Sequence, residues 1–229
     1  MKDWLRIHTP DLAAASVALV FLGVLWAYSR QPMELGAWLN GAGAATGMYR
    51  TYAEFVLVSD TLLLLPAVIL IAFGVSPVRL GLAGASRRWW LIAGAMTLFM
   101  VALAWVVSHR PEFRSYYPMY APARSGGCAL VFHLLVYGVY LWLWEWVYRG
   151  VLTLPAWRLF GWYGVFGQAV LFGLMHAGKP LPEVFGSFVA GVVLGWLAVR
   201  SGSFVPGAIA HIMVSSSMDL FVVTATRLP

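Results

Sequence analysis

Ionisable side chains inside otherwise apolar stretches are the part of this sequence that could do chemistry. They are Glu145, Arg149, His176, His211 and Asp219, all within the last 85 residues. A charged side chain inside a bilayer costs about 3 kcal/mol or more, so such residues usually mark a functional site. A carboxylate and two imidazoles in a low-dielectric site can activate water. The set therefore predicts hydrolysis at the membrane, with Glu145, His176 and His211 as catalytic residues and Arg149 supporting the ionised carboxylate.

The composition indicates which elements must position these residues. Hydrophobic residues make up 61% of the 229 residues and charged residues 10%. A transmembrane helix needs about 20 mostly apolar residues, whereas barrel strands would alternate polar and apolar residues. We therefore predict an all-α, polytopic transmembrane bundle of about seven spans. The spans are expected near 12–28, 54–74, 89–108, 129–157, 162–177, 184–199 and 204–224.

Charge and cysteine content argue against other classes of protein. A net charge of +6 would suit nucleic acid in a soluble protein, but here the basic residues are scattered through loops, where they suit anchoring at a membrane surface. Cys128 is the only cysteine, which excludes an internal disulfide and a cysteine-based metal site. The expected partners are the lipid bilayer and a membrane-anchored protein or peptide substrate, with no nucleic acid. We expect one integral membrane domain, with scaffold spans over 1–128 and catalytic spans over 129–229.

Helix lengths place three of the ionisable groups at a similar depth. The turn between the fourth and fifth spans is expected at 160–162, about 14 residues from both Glu145 and His176. At a rise of 1.5 Å per residue, both side chains lie roughly 20 Å from the same membrane face. His211 follows a turn expected at 201–202 on that face by about nine residues, which places it roughly 14 Å deep. The three groups are therefore expected to converge.

Spacing along single helices adds supporting residues. Glu145 and Arg149 are four residues apart, so they share a helix face and can form an ion pair. Steps of four residues also keep His211, Ser215 and Asp219 on one side of their helix. His211 with Ser215 could donate hydrogen bonds to the oxyanion of a peptide carbonyl. Asp219 could orient a histidine or a helix end.

Structural roles would account for several of these residues taken singly. The Glu145–Arg149 pair could simply close the bundle, and a lone histidine on an apolar face is more often a core residue than a ligand. The similar depth of Glu145, His176 and His211 favours a functional site over three separate structural roles. Zinc matches the ligand types, but the His-Glu-x-x-His pattern is absent, so no cofactor is expected and zinc is not favoured. Buried charges also mark ion paths, yet no paired repeats with broken helices support transport.

Three short motifs contain these residues. WEWVYRG holds Glu145 and Arg149, FGLMH holds Phe172 and His176, and HIMVSSSMD begins at His211. In order and spacing they resemble the CAAX prenyl endopeptidase and bacteriocin-processing family (CPBP or Abi), over about residues 140–220. Its motifs are Glu-Glu-x-x-x-Arg, Phe-x-x-x-His and His-x-x-x-Asn/Asp.

This resemblance implies an intramembrane endopeptidase of glutamic type that cleaves a membrane-anchored peptide or a C-terminal sorting tail. The segment between the second and third motifs looks like the bacterial branch of the family. It therefore implies an integral protein of the bacterial cytoplasmic membrane.

Two positions depart from the family pattern. Trp144 stands where the family has its first glutamate, usually given the water-activating role, and Ser215 stands where the family has Asn or Asp. In one interpretation Glu145 is the base of a one-glutamate enzyme and Asp219 replaces the missing polar group. In the other the chain is a degenerate binding or immunity protein that does not cut. We favour the enzyme, and then expect Glu145 to face His176 and His211 while Trp144 turns toward lipid or a neighbouring helix.

Overall fold

The computed structural model describes residues 2–30 and 44–226, and every regular element in those ranges is helical. Two of these elements are short, of six and five residues, and lie in the loop that ends before Gly127. The elements are α1 (Lys2–Arg30), α2 (Ala44–Ala72), α3 (Arg87–Val107), α4 (Pro111–Tyr116), the 3₁₀ turn (Ala121–Ser125), α5 (Gly127–Glu145), a π-helix (Trp146–Thr153), α6 (Leu154–Phe160), α7 (Trp162–Leu174), α8 (Leu181–Ser201) and α9 (Val205–Ala225).

Helix length and apolar composition make the chain an integral membrane protein. Five helical stretches in the described residues are long and apolar enough to cross a bilayer: His8–Ser29, Arg87–Val107, Gly127–Phe160, Leu181–Ser201 and Val205–Ala225. Two shorter apolar helices, Val56–Ala72 and Trp162–Leu174, complete the set. The prediction of an all-α bundle is confirmed, and the expected number of about seven spans agrees with these seven segments.

The fourth span changes helix type at its centre. After α5 the chain follows a π-helix whose eight residues are all buried, and the Leu154 N–H donates to the Arg149 carbonyl, five residues back. Pro155 gives a local reason, because it lacks the N–H that the Val151 carbonyl would accept in an α-helix and its ring would clash with that carbonyl. Such π-segments are often found at functional sites.

The fifth span is too short to cross the bilayer as a helix. It begins after Gly161, whose φ of 59° makes the turn that the sequence predicts at 160–162. Its 13 residues span about 20 Å, against a hydrocarbon core of about 30 Å. The helix alone is therefore shorter than the hydrocarbon core, and His176 lies two residues after its last residue, Leu174.

Two contacts tie the outer spans to this region. A Cβ on Gly191 of α8 would lie 2.8 Å from the Ala169 Cα of α7, so glycine is what allows these helices to approach closely. Near the start of α1, the buried Asp11 carboxylate accepts hydrogen bonds from Arg79 at 2.6 Å and from Arg158 at 2.8 Å. The N-terminal part of α1, the 73–86 loop and the end of α6 therefore meet on one side of the bundle.

Candidate active site

Glu145, the last residue of α5, is the centre of the candidate site. Its side chain is 0% exposed, and both carboxylate oxygens have partners. Oε1 accepts a hydrogen bond from His211 Nδ1 at 2.8 Å, and Oε2 accepts one from Arg149 Nε at 2.9 Å. The ion pair predicted from the four-residue spacing therefore forms. The carboxylate also links the fourth span to α9 through its hydrogen bond with His211.

Arg149 is buried in the π-helix and joins three neighbours. Besides Glu145, its Nη1 donates to the side-chain oxygen of Gln168 and, at 3.4 Å, to the Gly191 carbonyl. The guanidinium carbon lies 4.3 Å from the centroid of the Phe172 ring, a cation–π contact. Gln168 was not among the residues predicted for the site, although a lone amide in the apolar stretch of α7 indicates a buried polar role.

His176 lies beside this pair without bonding to it. Its Nδ1 donates to the Phe172 carbonyl at 2.7 Å, which fixes the proton on Nδ1 and leaves the lone pair of a neutral ring on Nε2. The ring centroid of Phe172 is 4.7 Å from that of His176 and 6.0 Å from that of His211. Both imidazoles thus flank one phenyl ring, but no hydrogen bond within the described chain joins His176 to Glu145.

His211 differs from Glu145 in its access to the surroundings. The side chain of His211 is 19% exposed, whereas that of Glu145 is 0% exposed. Because Nδ1 of His211 donates to the carboxylate, the lone pair of the neutral ring lies on Nε2. His211 is therefore the member of the pair that water or a substrate can reach.

Trp144 occupies the space next to His176. The indole is buried, and its ring centroid lies 4.8 Å from Tyr148, 6.2 Å from Phe172 and 6.5 Å from His176. Of the two orientations expected for this side chain, the structure has the one toward a neighbouring helix, α7, and not toward lipid. Its Nε1–H has no hydrogen-bond partner among the described residues.

Asp219 is not part of this cluster. Its Oδ2 accepts a hydrogen bond from His133 Nε2 at 3.2 Å, and both side chains are 0% exposed. The histidine that Asp219 contacts is His133 and not one of the predicted catalytic histidines. The carboxylate that contacts His211 is that of Glu145. The reason is geometric, since eight residues along a helix move a side chain about 12 Å along the axis.

Ser215 also stands apart from the Glu145 cluster. It is partly buried, and its hydroxyl makes no hydrogen bond within the described part of the chain. Ser215 lies one helical turn from His211, so the two side chains still share a helix face. The role of oxyanion donor that the spacing suggested for Ser215 stays a prediction.

The Asp219–His133 contact belongs to a longer chain of hydrogen bonds. Because His133 Nε2–H donates to the carboxylate, its Nδ1 accepts from the Tyr52 hydroxyl, at 2.5 Å. The Tyr52 ring stacks on Tyr120 with centroids 4.3 Å apart. Sequence reasoning passed over His133, although it is an ionisable residue in a predicted span. This chain joins α2, α5 and α9 near the 3₁₀ turn.

A second polar cluster lies just beyond His176. The Tyr117 hydroxyl donates to both Glu183 oxygens at 2.7 Å, and Lys179 Nζ donates to Glu183 at 2.7 Å and to the Tyr117 oxygen at 3.1 Å. Burial raises the pKa of Tyr117 well above its usual value, so the phenol stays protonated and remains a donor. The cluster fastens the loop between α3 and α5 onto the segment that follows His176.

Side chains of the types that bind metals, histidine and glutamate, are present, but in the described residues they are not clustered around one point. Within residues 2–30 and 44–226, no three His, Cys, Asp or Glu side chains are placed to hold one ion. Glu145 and His211 are in contact, and His176 directs its Nδ1 to a backbone carbonyl.

Comparison with known proteins gives a match over the part of the chain that contains the candidate site. No match was found among curated proteins or solved structures. A family model described as Type II CAAX prenyl endopeptidase Rce1-like matches residues 126–217. That range contains Glu145, His176 and His211 and ends before Asp219. The resemblance to CAAX prenyl endopeptidases is thus confirmed for residues 126–217, which are similar to the Rce1-like family.

Proposed function

We propose that this chain is a glutamic-type intramembrane endopeptidase that hydrolyses a membrane-anchored peptide or C-terminal sorting tail. The Rce1-like match supports a membrane protease of the CAAX type at the level of the family. The observation that carries the finer proposal is the 2.8 Å hydrogen bond between His211 Nδ1 and the buried carboxylate of Glu145.

The pair suggests how water is activated. Nε2 of His211 takes a proton from water as the water oxygen attacks the peptide carbonyl carbon. The imidazolium that forms is stabilised by Glu145, whose charge is held in place by Arg149. The C–N bond then breaks, and His211 returns the proton to the leaving amine. In this proposal Glu145 is not itself the base that the sequence analysis expects. The mechanism is glutamic in that the carboxylate of Glu145 orients His211 and stabilises its cation.

His176 has a complementary role in this scheme. Because its Nδ1–H is committed to the Phe172 carbonyl, Nε2 of the neutral ring is an acceptor that can hold the water. Three buried donors without a partner among the described residues, Trp144 Nε1, Tyr148 Oη and Arg149 Nη2, lie on the Glu145 segment. Buried donors are normally satisfied by water or ligand, and these can serve the oxyanion.

One observation favours a second candidate, a non-catalytic membrane binding or immunity protein. Trp144 stands at the position of the family's first glutamate, and its indole is buried 6.5 Å from His176, centroid to centroid. A bulky ring beside a histidine would suit a cavity that holds a peptide without cutting it.

Terminal mass spectrometry of membrane proteins distinguishes the two candidates. Cells that carry the chain, cells that lack it, and cells that carry Glu145→Gln are compared. The enzyme predicts new protein termini only with the unaltered chain. If no terminus shifts and toxin protection persists in Glu145→Gln, the binding protein is the better account.

A further inference from the structure

A cavity lies near the end of the fourth span that is farther from the start of α5. It has a volume of about 410 Å³ and is lined by Arg88, Trp89, Trp157, Val199 and Arg200. These residues come from the start of α3, from α6 and from the end of α8. The volume falls within the range of about 300 to 1,000 Å³ that is typical of small-molecule sites.

This cavity is separate from the Glu145 site. Trp157 lies 12 residues after Glu145 on one nearly continuous helix, which corresponds to roughly 18 Å along the axis. None of the residues that line the cavity contacts Glu145, His176 or His211 through a hydrogen bond. A ligand bound here would therefore not occupy the candidate active site.

The positive charge in this cavity is not neutralised by the described protein. Arg88 and Arg200 are exposed, and within residues 2–30 and 44–226 neither forms an ion pair. Arg79 and Arg158, on the same side of the bundle, differ because both bind the buried Asp11 carboxylate. The two cavity arginines are therefore free to bind an anion.

The aromatic walls place the cavity at the level of lipid headgroups. The guanidinium carbon of Arg88 lies 5.1 Å from the Trp89 ring centroid, and Trp89 meets Trp196 edge to face at 5.7 Å. Trp157 makes a similar edge contact with Trp162 at 5.1 Å. Tryptophan concentrates at the boundary between lipid and water, where its ring is apolar and its N–H polar. The cavity therefore combines an apolar wall with two cations at that boundary.

We propose that this cavity binds the phosphate headgroup of an anionic phospholipid. Guanidinium groups match phosphate oxygens with paired hydrogen bonds, and basic pockets between transmembrane helices suit such headgroups. Inorganic phosphate offers the same oxygens to Arg88 and Arg200. It would leave the walls formed by Trp157 and Val199 uncovered, whereas the glycerol and upper acyl chains of a lipid would pack against them.

Native mass spectrometry of the protein tests the proposal. The detergent-solubilised protein is mixed with phosphatidylglycerol or with phosphatidylcholine, and the lipid-bound fraction is measured. We expect selective retention of phosphatidylglycerol, weakened about thirty-fold in the Arg88→Gln/Arg200→Gln double variant and about five-fold in either single variant. Arg87→Gln is the matched control, since Arg87 is exposed beside the cavity without lining it.

Three results would overturn the proposal. Equal retention of the two lipids would show that the cavity does not select for the negative charge of the headgroup. A loss in Arg87→Gln as large as in the cavity variants would indicate diffuse attraction to the surface. Binding of inorganic phosphate that displaces the lipid, and that Trp157→Ala leaves unchanged, would assign the cavity to free phosphate. Thermal melting of each variant checks that the protein stays folded. We expect little change in melting temperature, because the substituted arginines are exposed.

Discussion

His211 Nδ1 and Glu145 Oε1 are 2.8 Å apart although the two residues are 66 positions apart in sequence. The same carboxylate binds Arg149 through its other oxygen. The buried carboxylate of Glu145 therefore links the fourth span to α9. Its partner on α9, His211, is partly exposed.

The buried Glu145–Arg149 pair is expected to matter for stability mainly when it is broken. Arg149→Met removes the cation that pairs with Glu145 and leaves the buried carboxylate only its hydrogen bond to His211. The change should lower the free energy of unfolding by about 3 to 5 kcal/mol. Adding Glu145→Gln removes that charge, so the double variant should recover much of the loss. Equilibrium unfolding in detergent micelles measures both variants.

The exposed pair Arg110–Glu112 supplies the control, with side chains 59% and 38% exposed. Arg110→Met should change stability by less than about 1 kcal/mol. An Arg149→Met protein as stable as Arg110→Met would contradict the buried-charge account.

Asp219 and His133 are expected to support the fold without taking part in cleavage. Asp219→Asn and His133→Ala should each lower the melting temperature. Their combination should cost little more than either change alone, because both remove the same hydrogen bond. The cleavage rate per folded molecule should stay near that of the unaltered protein. A hundredfold loss of rate in folded Asp219→Asn would return Asp219 to the catalytic set.

Trp144→Glu tests whether the chain is a degenerate enzyme. The indole packs against Phe172 and lies near His176, so a carboxylate there would be buried without a partner. We expect lower thermal stability and no gain in cleavage, while Trp144→Phe keeps the ring and serves as control. Cleavage that appears only in Trp144→Glu would favour the degenerate interpretation.

The order of the elements and one ion pair could be predicted from the sequence because they follow from local periodicity. Apolar runs predict the helices, and four-residue spacing predicts the Glu145–Arg149 contact. The π-helix could not be predicted in this way, since it depends on how the chain accommodates Pro155 within a packed span. The partner of Asp219 was missed for a different reason: His133 lies 86 residues away, and helix periodicity does not specify which helices meet.

A further prediction concerns metal. In the proposed scheme Glu145 and His211 activate the water, so no ion is needed. Activity should survive exhaustive chelation and purification in metal-free buffer. Activity that is lost on chelation and returns with zinc would replace the glutamic mechanism by a metal-dependent one. A parallel measurement of thermal stability separates loss of activity from loss of fold.

The central claim is that Glu145 and His211 together activate the water that cleaves the substrate. The most direct measurement is the cleavage rate of a reconstituted membrane-anchored substrate by Glu145→Gln, which is nearly isosteric, alongside His211→Ala and the double variant. We expect each single variant to lose at least about a thousandfold in rate, and the double variant to lose little more, because groups that act as a unit are not additive. A Glu145→Gln protein that is folded and cleaves at the rate of the unaltered chain would contradict the account.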